Sequence, residues 1–206
     1  MRGIFPDSLE DNRVMVTDTN CYPYYWMLYL LATCDGTNYY RGSGFLFHHS
    51  LIVTCGHCAY PRINGNDKPG LFPKKIEVYR NNNGIMQYLC EVEGTVVVST
   101  RYANNTLDWA DDWGLLTLKN KLPYGGIGLI STDYFNTIKN EDAAVTGFPS
   151  DTHAEKNSQS LWTGNGSIDG MTDDGFYTYK VSIYGSNGIA VPHYTRDGRT
   201  ITILKN

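Results

Sequence analysis

The sequence predicts an all-β protein built as two small barrels that share one interface. Three observations carry that expectation. Short β-type runs recur along the chain with Gly, Asn and Asp turns between them, a spacing that suits a sandwich or barrel rather than a parallel α/β sheet. The 206 residues include 16 Tyr and 21 Gly, and long helix-forming stretches are few. Pro and Gly interrupt two β-rich halves near Lys119 to Gly126, "KNKLPYGG".

The runs can be taken in order. "YYWMLYLLAT" opens the first half and is apolar almost throughout, as a strand buried on both faces would be. At this length it falls well short of the roughly 20 residues that span a bilayer. "GSGFLF", "SLIVTCG", "KIEVY", "EVEGTVVVS" and "WGLLTL" follow, separated by turn-rich loops such as "PRINGNDKPGLFPK" and "RNNNG". The second half offers "AAVTGF", "YTYKVSIY", "GIAVPHY" and "TITIL". A cleft between two such halves is where a site would be expected.

Composition narrows the function. Apolar residues make up 41% and charged residues 18%, ordinary for a soluble domain. A net charge of −4 supplies no basic field, so no nucleic acid is expected as a partner, and no run is long enough to imply a membrane partner. The opening "MRGIFPDSLEDNR" has no apolar core of signal-peptide type. Five cysteines are an odd number, so at least one thiol is unpaired within a monomer. No cysteine or histidine spacing has a zinc-site pattern, so neither a metal nor another cofactor is expected. "CGHC" (Cys55 to Cys58) contains C-x-x-C, but it follows a β-rich run rather than opening a helix in a βαβ unit, which argues against a redox dithiol.

Three separated stretches could supply a nucleophile, a base and a group that orients the base. In "TCGHCAY", an apolar strand delivers His57 into a tight turn. An imidazole can take a proton from a hydroxyl and return it later if its tautomer is fixed. His48, His49, His153 and His193 have no such setting and read as structural or surface residues. In "DDWGLLTL", Asp112 lies at the mouth of an alternating strand, where a buried carboxylate needs a partner such as an imidazole N–H. In "YGSNGIAVP", Ser186 sits in a Gly-rich turn whose small residues would let backbone amides converge on an oxyanion. A thiol nucleophile, Cys55 or Cys58, is disfavoured because both share a turn with His57.

In order, "GSGFLF…TCGHC", "DDWGLL", "VTGFPSD" and "YGSNGIAV" resemble the landmarks of a chymotrypsin-like serine protease. More narrowly they resemble the secreted bacterial glutamyl endopeptidases, whose pattern runs T-A-G-H-C, D-x-[GA]-[LI]-[LI], V-[TS]-G-[FY]-P and G-x-S-G-x-P-V. The resemblance extends from about Asp11 to Ile203, and the order base, orienter, nucleophile is that clan's own. It implies a single trypsin-like peptidase domain over residues 1–206, with a first six-stranded-type antiparallel barrel to about residue 120. A second, from about residue 121, would be shortened at its C-terminal end. It further implies a serine endopeptidase acting on a polypeptide through an acyl-enzyme, and a secreted, extracellular protein. His57 matches the general base and Asp112 the orienting group. Gly185, Asn187 and Gly188 match the oxyanion-hole positions.

The departures from the pattern fall at sensitive places. Laid on the motif without a gap, the nucleophile position holds Asn187, whose amide cannot act in acyl transfer. A one-residue shift would instead turn Ser186 into the cleft. The first alignment implies a catalytically inactive domain that binds or scaffolds a protein ligand; the second implies an enzyme. Ser182 lies within a β-like run and is the weaker candidate. The family disulfide would join Cys58 to a cysteine at the position of Gly42, with Cys34 as the nearest substitute. Ala190 replaces the motif's Pro, and Leu204 stands where the family's acid-reading His would be, so glutamate preference is not implied.

Overall fold

The computed structural model describes residues 13–36, 39–62, 70–104, 111–123, 126, 129–130, 142–149, 159–171, 177–179, 192–194 and 200–203. The described residues are mostly β. After β1 (Val14–Met15) and a turn of 3₁₀-helix at Tyr24–Trp26, six strands form the first half. They are β2 (Met27–Thr33), β3 (Tyr39–His48), β4 (Leu51–Thr54), β5 (Lys75–Asn82), β6 (Ile85–Val98) and β7 (Gly114–Leu118). They close into a barrel in the order β2-β3-β4-β7-β6-β5, each neighbouring pair antiparallel.

Burial explains why the first run carries almost no polar residue. Along β2, alternate side chains point to opposite faces. Leu28, Leu30 and Ala32 enter the barrel core with Leu46, Ile52, Ile76, Val78, Leu116 and Leu118. Met27 and Tyr29 face outward into a second buried cluster with Phe45, Val53, Phe148 and Leu161. The outer face of the barrel is therefore roofed at Met27 and Tyr29 by the second half of the chain, so the first four residues of β2 are buried on both faces. Phe148 is one tie between the halves. Its ring meets Tyr29 edge-on at 5.4 Å, and its N–H donates to the buried Ser43 hydroxyl at 2.8 Å.

The second half contributes β8 (Leu129–Ile130), β9 (Asp142–Gly147), β10 (Trp162–Met171), β11 (Tyr177–Tyr179), β12 (Pro192–Tyr194) and β13 (Thr200–Ile203). β10 pairs antiparallel with β1, β9 and β11. A separate sheet runs β12-β13-β8. Within it β13 pairs with β8 in parallel, against the expectation of wholly antiparallel pairing. More than sixty residues separate those two strands, ample chain for the crossover that a parallel neighbour requires.

Two further differences from the sequence reading have clear causes. β10, "WTGNGSIDGM", is a 10-residue strand with little β-branched or aromatic character, so its composition reads as loop. Its pairing from Trp162↔Gly147 to Ser167↔Asp142 holds it extended regardless. β6 joins "IMQYLC" and "EVEGTVVV" into one 14-residue strand. The register shift between Val92 and Val96 lets it bend from its pairing with β5 to its pairing with β7.

Candidate active site

Barrel topology brings His57 and Asp112 together. β4 and β7 are antiparallel neighbours with Thr54 opposite Gly114. The chain leaving β4 therefore meets the chain entering β7, and residues just past position 54 face residues just before 114. Beyond β4 the chain makes one helical turn, α1 (Gly56–Ala59), which presents His57. Glycine permits the close approach at two points. A Cβ on Gly56 would stand 3.0 Å from Asp112 Oδ1, and one on Gly114 would stand 2.7 Å from the Ala59 Cβ.

Asp112 holds His57 at two points. The His57 backbone N–H donates to Oδ1 at 2.8 Å, and Nδ1 lies 2.7 Å from Oδ2. An ionised carboxylate only accepts, so the proton of a neutral imidazole sits on Nδ1 and the lone pair on Nε2. The carboxylate is sheltered, with 13% of its side-chain surface exposed, while the imidazole retains 38%. Desolvation pulls the His57 pKa down, but the neighbouring Cys58 sulfur and the Asp112 carboxylate outweigh it, leaving it well above the ordinary histidine value. The Asp112 contact carries that direction most securely, because it is a short, charge-assisted hydrogen bond.

Asp111, next in sequence, does something else. It accepts the Ser99 hydroxyl at 2.9 Å and lies 3.3 Å from Arg101 Nε, which ties down the short helix α2 (Thr100–Ala103). Tyr102, buried on that helix, walls the Asp112 side. Its pKa is pushed up to about 12, first by burial and then by the Asp112 charge, with Arg62 opposing. It therefore stays neutral. Arg62 donates to the Tyr102 carbonyl at 2.7 Å and lies over its ring.

His48 and His49 lie at the opposite end of β4 from His57, and His49 Nδ1 contacts the Leu122 carbonyl at 2.9 Å. His48 is exposed. His193 falls on β12, away from any described pairing with His57. His153, Ser182, Gly185, Ser186, Asn187, Gly188, Ala190 and Leu204 lie outside the described residues. The pairing of Cys58 with Cys34 does not occur, since none of the five cysteines is in a disulfide. Cys34 is held elsewhere, with its sulfur 3.9 Å from the Leu71 carbonyl. Cys58 points at Gly42, where an added Cβ would lie 2.6 Å from its Sγ. The C-x-x-C pair does begin a helix, but a single turn at the rim of an antiparallel barrel.

Sequence reasoning weighed Cys55 as a redox or nucleophilic thiol and missed it as a possible metal ligand. A ligand atom on Cys55, one on His57 and one on Asp112 all lie within 4.8 Å of one another. The 55-to-57 spacing alone carries no metal signal; the third member arrives only through the β4–β7 register.

Comparison with known proteins agrees with the barrel fold. No protein-family model matches the chain. A solved Glu endopeptidase in complex with MPD superposes with a TM-score of 0.65 at 19% identity, over 93% of this chain and 83% of its own. Protease Anisep from Arthrobacter nicotinovorans gives 0.58 at 17% identity, over 91% and 84%. A structure of HL collagenase gives 0.64 at 14% identity, over 95% and 84%. Among curated proteins, the extracellular metalloprotease of Bacillus subtilis (strain 168) is 25% identical over 195 residues, 92% of this chain. The chain spans 58% of that relative's length. The protein has the chymotrypsin-like protease fold, and its likeness to the curated protease is distant.

Proposed function

We propose that the chain is a serine-type endopeptidase in which His57 is the general base, Asp112 its orienting partner and Ser186 the nucleophile. The observation that carries this reading is the two-point clasp of His57 by Asp112, through Oδ1 on the backbone N–H and Oδ2 on the ring. The clasp leaves Nε2 as the basic nitrogen. In the reaction the Ser186 hydroxyl attacks the scissile carbonyl and its proton passes to Nε2. The oxyanion is met by the backbone N–H groups of Gly185, Asn187 and Gly188. Collapse breaks the C–N bond, and the departing amine takes the proton from Nε2. Water, deprotonated by the same nitrogen, then hydrolyses the acyl ester. Asp112 stays ionised and stabilises the imidazolium that forms twice per turnover. The substrate is a polypeptide, and the C-terminal strands belong to the second barrel of one peptidase domain. By likeness to a relative named as extracellular, the protein acts outside the cell.

Hydrolysis of a generic protein substrate near neutral pH tests the reading. Wild-type protein should cleave, and Ser186→Ala or His57→Ala should each cost about 10⁶-fold in turnover. Cleavage undiminished in Ser186→Ala would remove Ser186 from the role.

One observation favours a second reading. Asn187 occupies the motif's nucleophile position in an ungapped alignment, which suits a protease-like domain that binds a protein without cutting it. Under that reading wild-type protein is inert and Asn187→Ser gains peptidase activity.

A further inference from the structure

We propose that Cys55, His57 and Asp112 form a binding site for a thiophilic divalent cation, of the zinc or cadmium type. Binding there and the base role of His57 exclude one another. The binding claim stands on geometry alone; the exclusion rests on the peptidase reading.

The three side chains offer one sulfur, one ring nitrogen and one carboxylate oxygen, all within 4.8 Å of one another and all half-buried. Thiolate with imidazole selects zinc-like ions over magnesium or calcium, which take oxygen shells. Three protein donors with a fourth place left to solvent is the pattern of an open zinc site.

Tetrahedral bonds of about 2.0–2.3 Å place donors roughly 3.3–3.8 Å apart. The widest separation must therefore close by about 1 Å. The Nδ1–Oδ2 contact, now 2.7 Å, must open by about 0.6 Å. Rotation of the Cys55 and His57 side chains is the adjustment the site requires, with Asp112 anchored through Oδ1 on the His57 backbone N–H.

The nitrogen facing Oδ2 is Nδ1, so a cation joining Cys55 and Asp112 takes the Nδ1 lone pair. The ring proton then resides on Nε2, and the thiol proton of Cys55 is released to solvent. With Nε2 protonated, His57 has no lone pair to accept a proton from a nucleophile. The cation thus acts as a reversible brake through the tautomer.

The test uses the full chain. Co²⁺ should bind with one equivalent and give a thiolate-to-cobalt charge-transfer band, and Zn²⁺ should displace it. Cys55→Ser, with its fold checked by circular dichroism, should lose the band and weaken Zn²⁺ binding by more than about 100-fold, beyond the loss typical of an outer-shell change. In wild-type protein, saturating Zn²⁺ should protect Cys55 from alkylation, read by peptide mapping, a measurement that needs no variant. Absence of the band, a band that survives in Cys55→Ser, or unprotected Cys55 would each overturn the site. Where metal-free protein cleaves peptides, Zn²⁺ should inhibit wild type and inhibit Cys55→Ser at least about 100-fold less sensitively; equal inhibition would overturn the exclusion. Metal binding in a chain with no peptidase activity would sustain the site while removing the peptidase reading.

Discussion

Gly42→Cys should create a disulfide with Cys58 and stabilise the barrel. A Cβ added at 42 would lie 2.6 Å from Cys58 Sγ and 2.9 Å from its Cβ. The direction is therefore right for a bond, while an unstrained bridge has Cβ atoms about 3.8 Å apart, so β3 and α1 must separate by roughly 0.9 Å. The closed loop holds about 17 residues, for which restriction of the unfolded chain contributes about 3 kcal/mol. Allowing about 1 kcal/mol for the separation leaves a gain of about 2 kcal/mol, or a rise in Tm of about 4–8 °C for a chain of this size. Thermal melts of the oxidised variant with and without reductant measure the gain, and peptide mapping identifies the bridge. A variant whose added thiol remains titratable after oxidation would refute the placement of Cys58. A bridged variant that melts lower than wild type would refute the balance of loop entropy against strain.

The remaining predictions are independent of that bridge. The His57 ring should titrate above about 6.5, the ordinary value, in wild-type protein. Because its pKa is raised on folding, its stabilising contribution is complete below about 6.5 and lost as pH rises through the folded midpoint. Denaturant melts across that window should show the slope in wild type and not in Asp112→Asn. The same variant turns an amide N–H towards Nδ1, so heteronuclear NMR should find the ring proton moved to Nε2; where the chain is active, turnover should fall about 10⁴-fold. Phe148→Ala should cost about 3–5 kcal/mol in urea melts, since that ring is buried in the cluster joining the halves; a loss below about 1 kcal/mol would deny it that role.

The strands of the first barrel were legible because burial wrote itself into their composition. β2 is buried on both faces over its first four residues and so reads as one apolar run, while β7 alternates buried and half-buried side chains. β10 was illegible because its pairing partners, not its own residues, keep it extended. Position 57 announced itself through a strand ending in a turn, and position 112 through a strand beginning. The sequence could not show that Thr54 sits opposite Gly114, and that register joins the two. It also hid Cys55, whose significance depends on a carboxylate 57 positions further on. Asp111 and Asp112 look alike in sequence; only Asp112 turns towards His57, while Asp111 serves Ser99.

The central claim is that the clasped imidazole serves a hydroxyl at position 186. Reaction of the purified, metal-free chain with a fluorophosphonate, followed by peptide mapping, tests it most directly. The account predicts a single adduct on Ser186 that is lost in His57→Ala. An unlabelled wild-type chain that gains an adduct at position 187 in Asn187→Ser would contradict it.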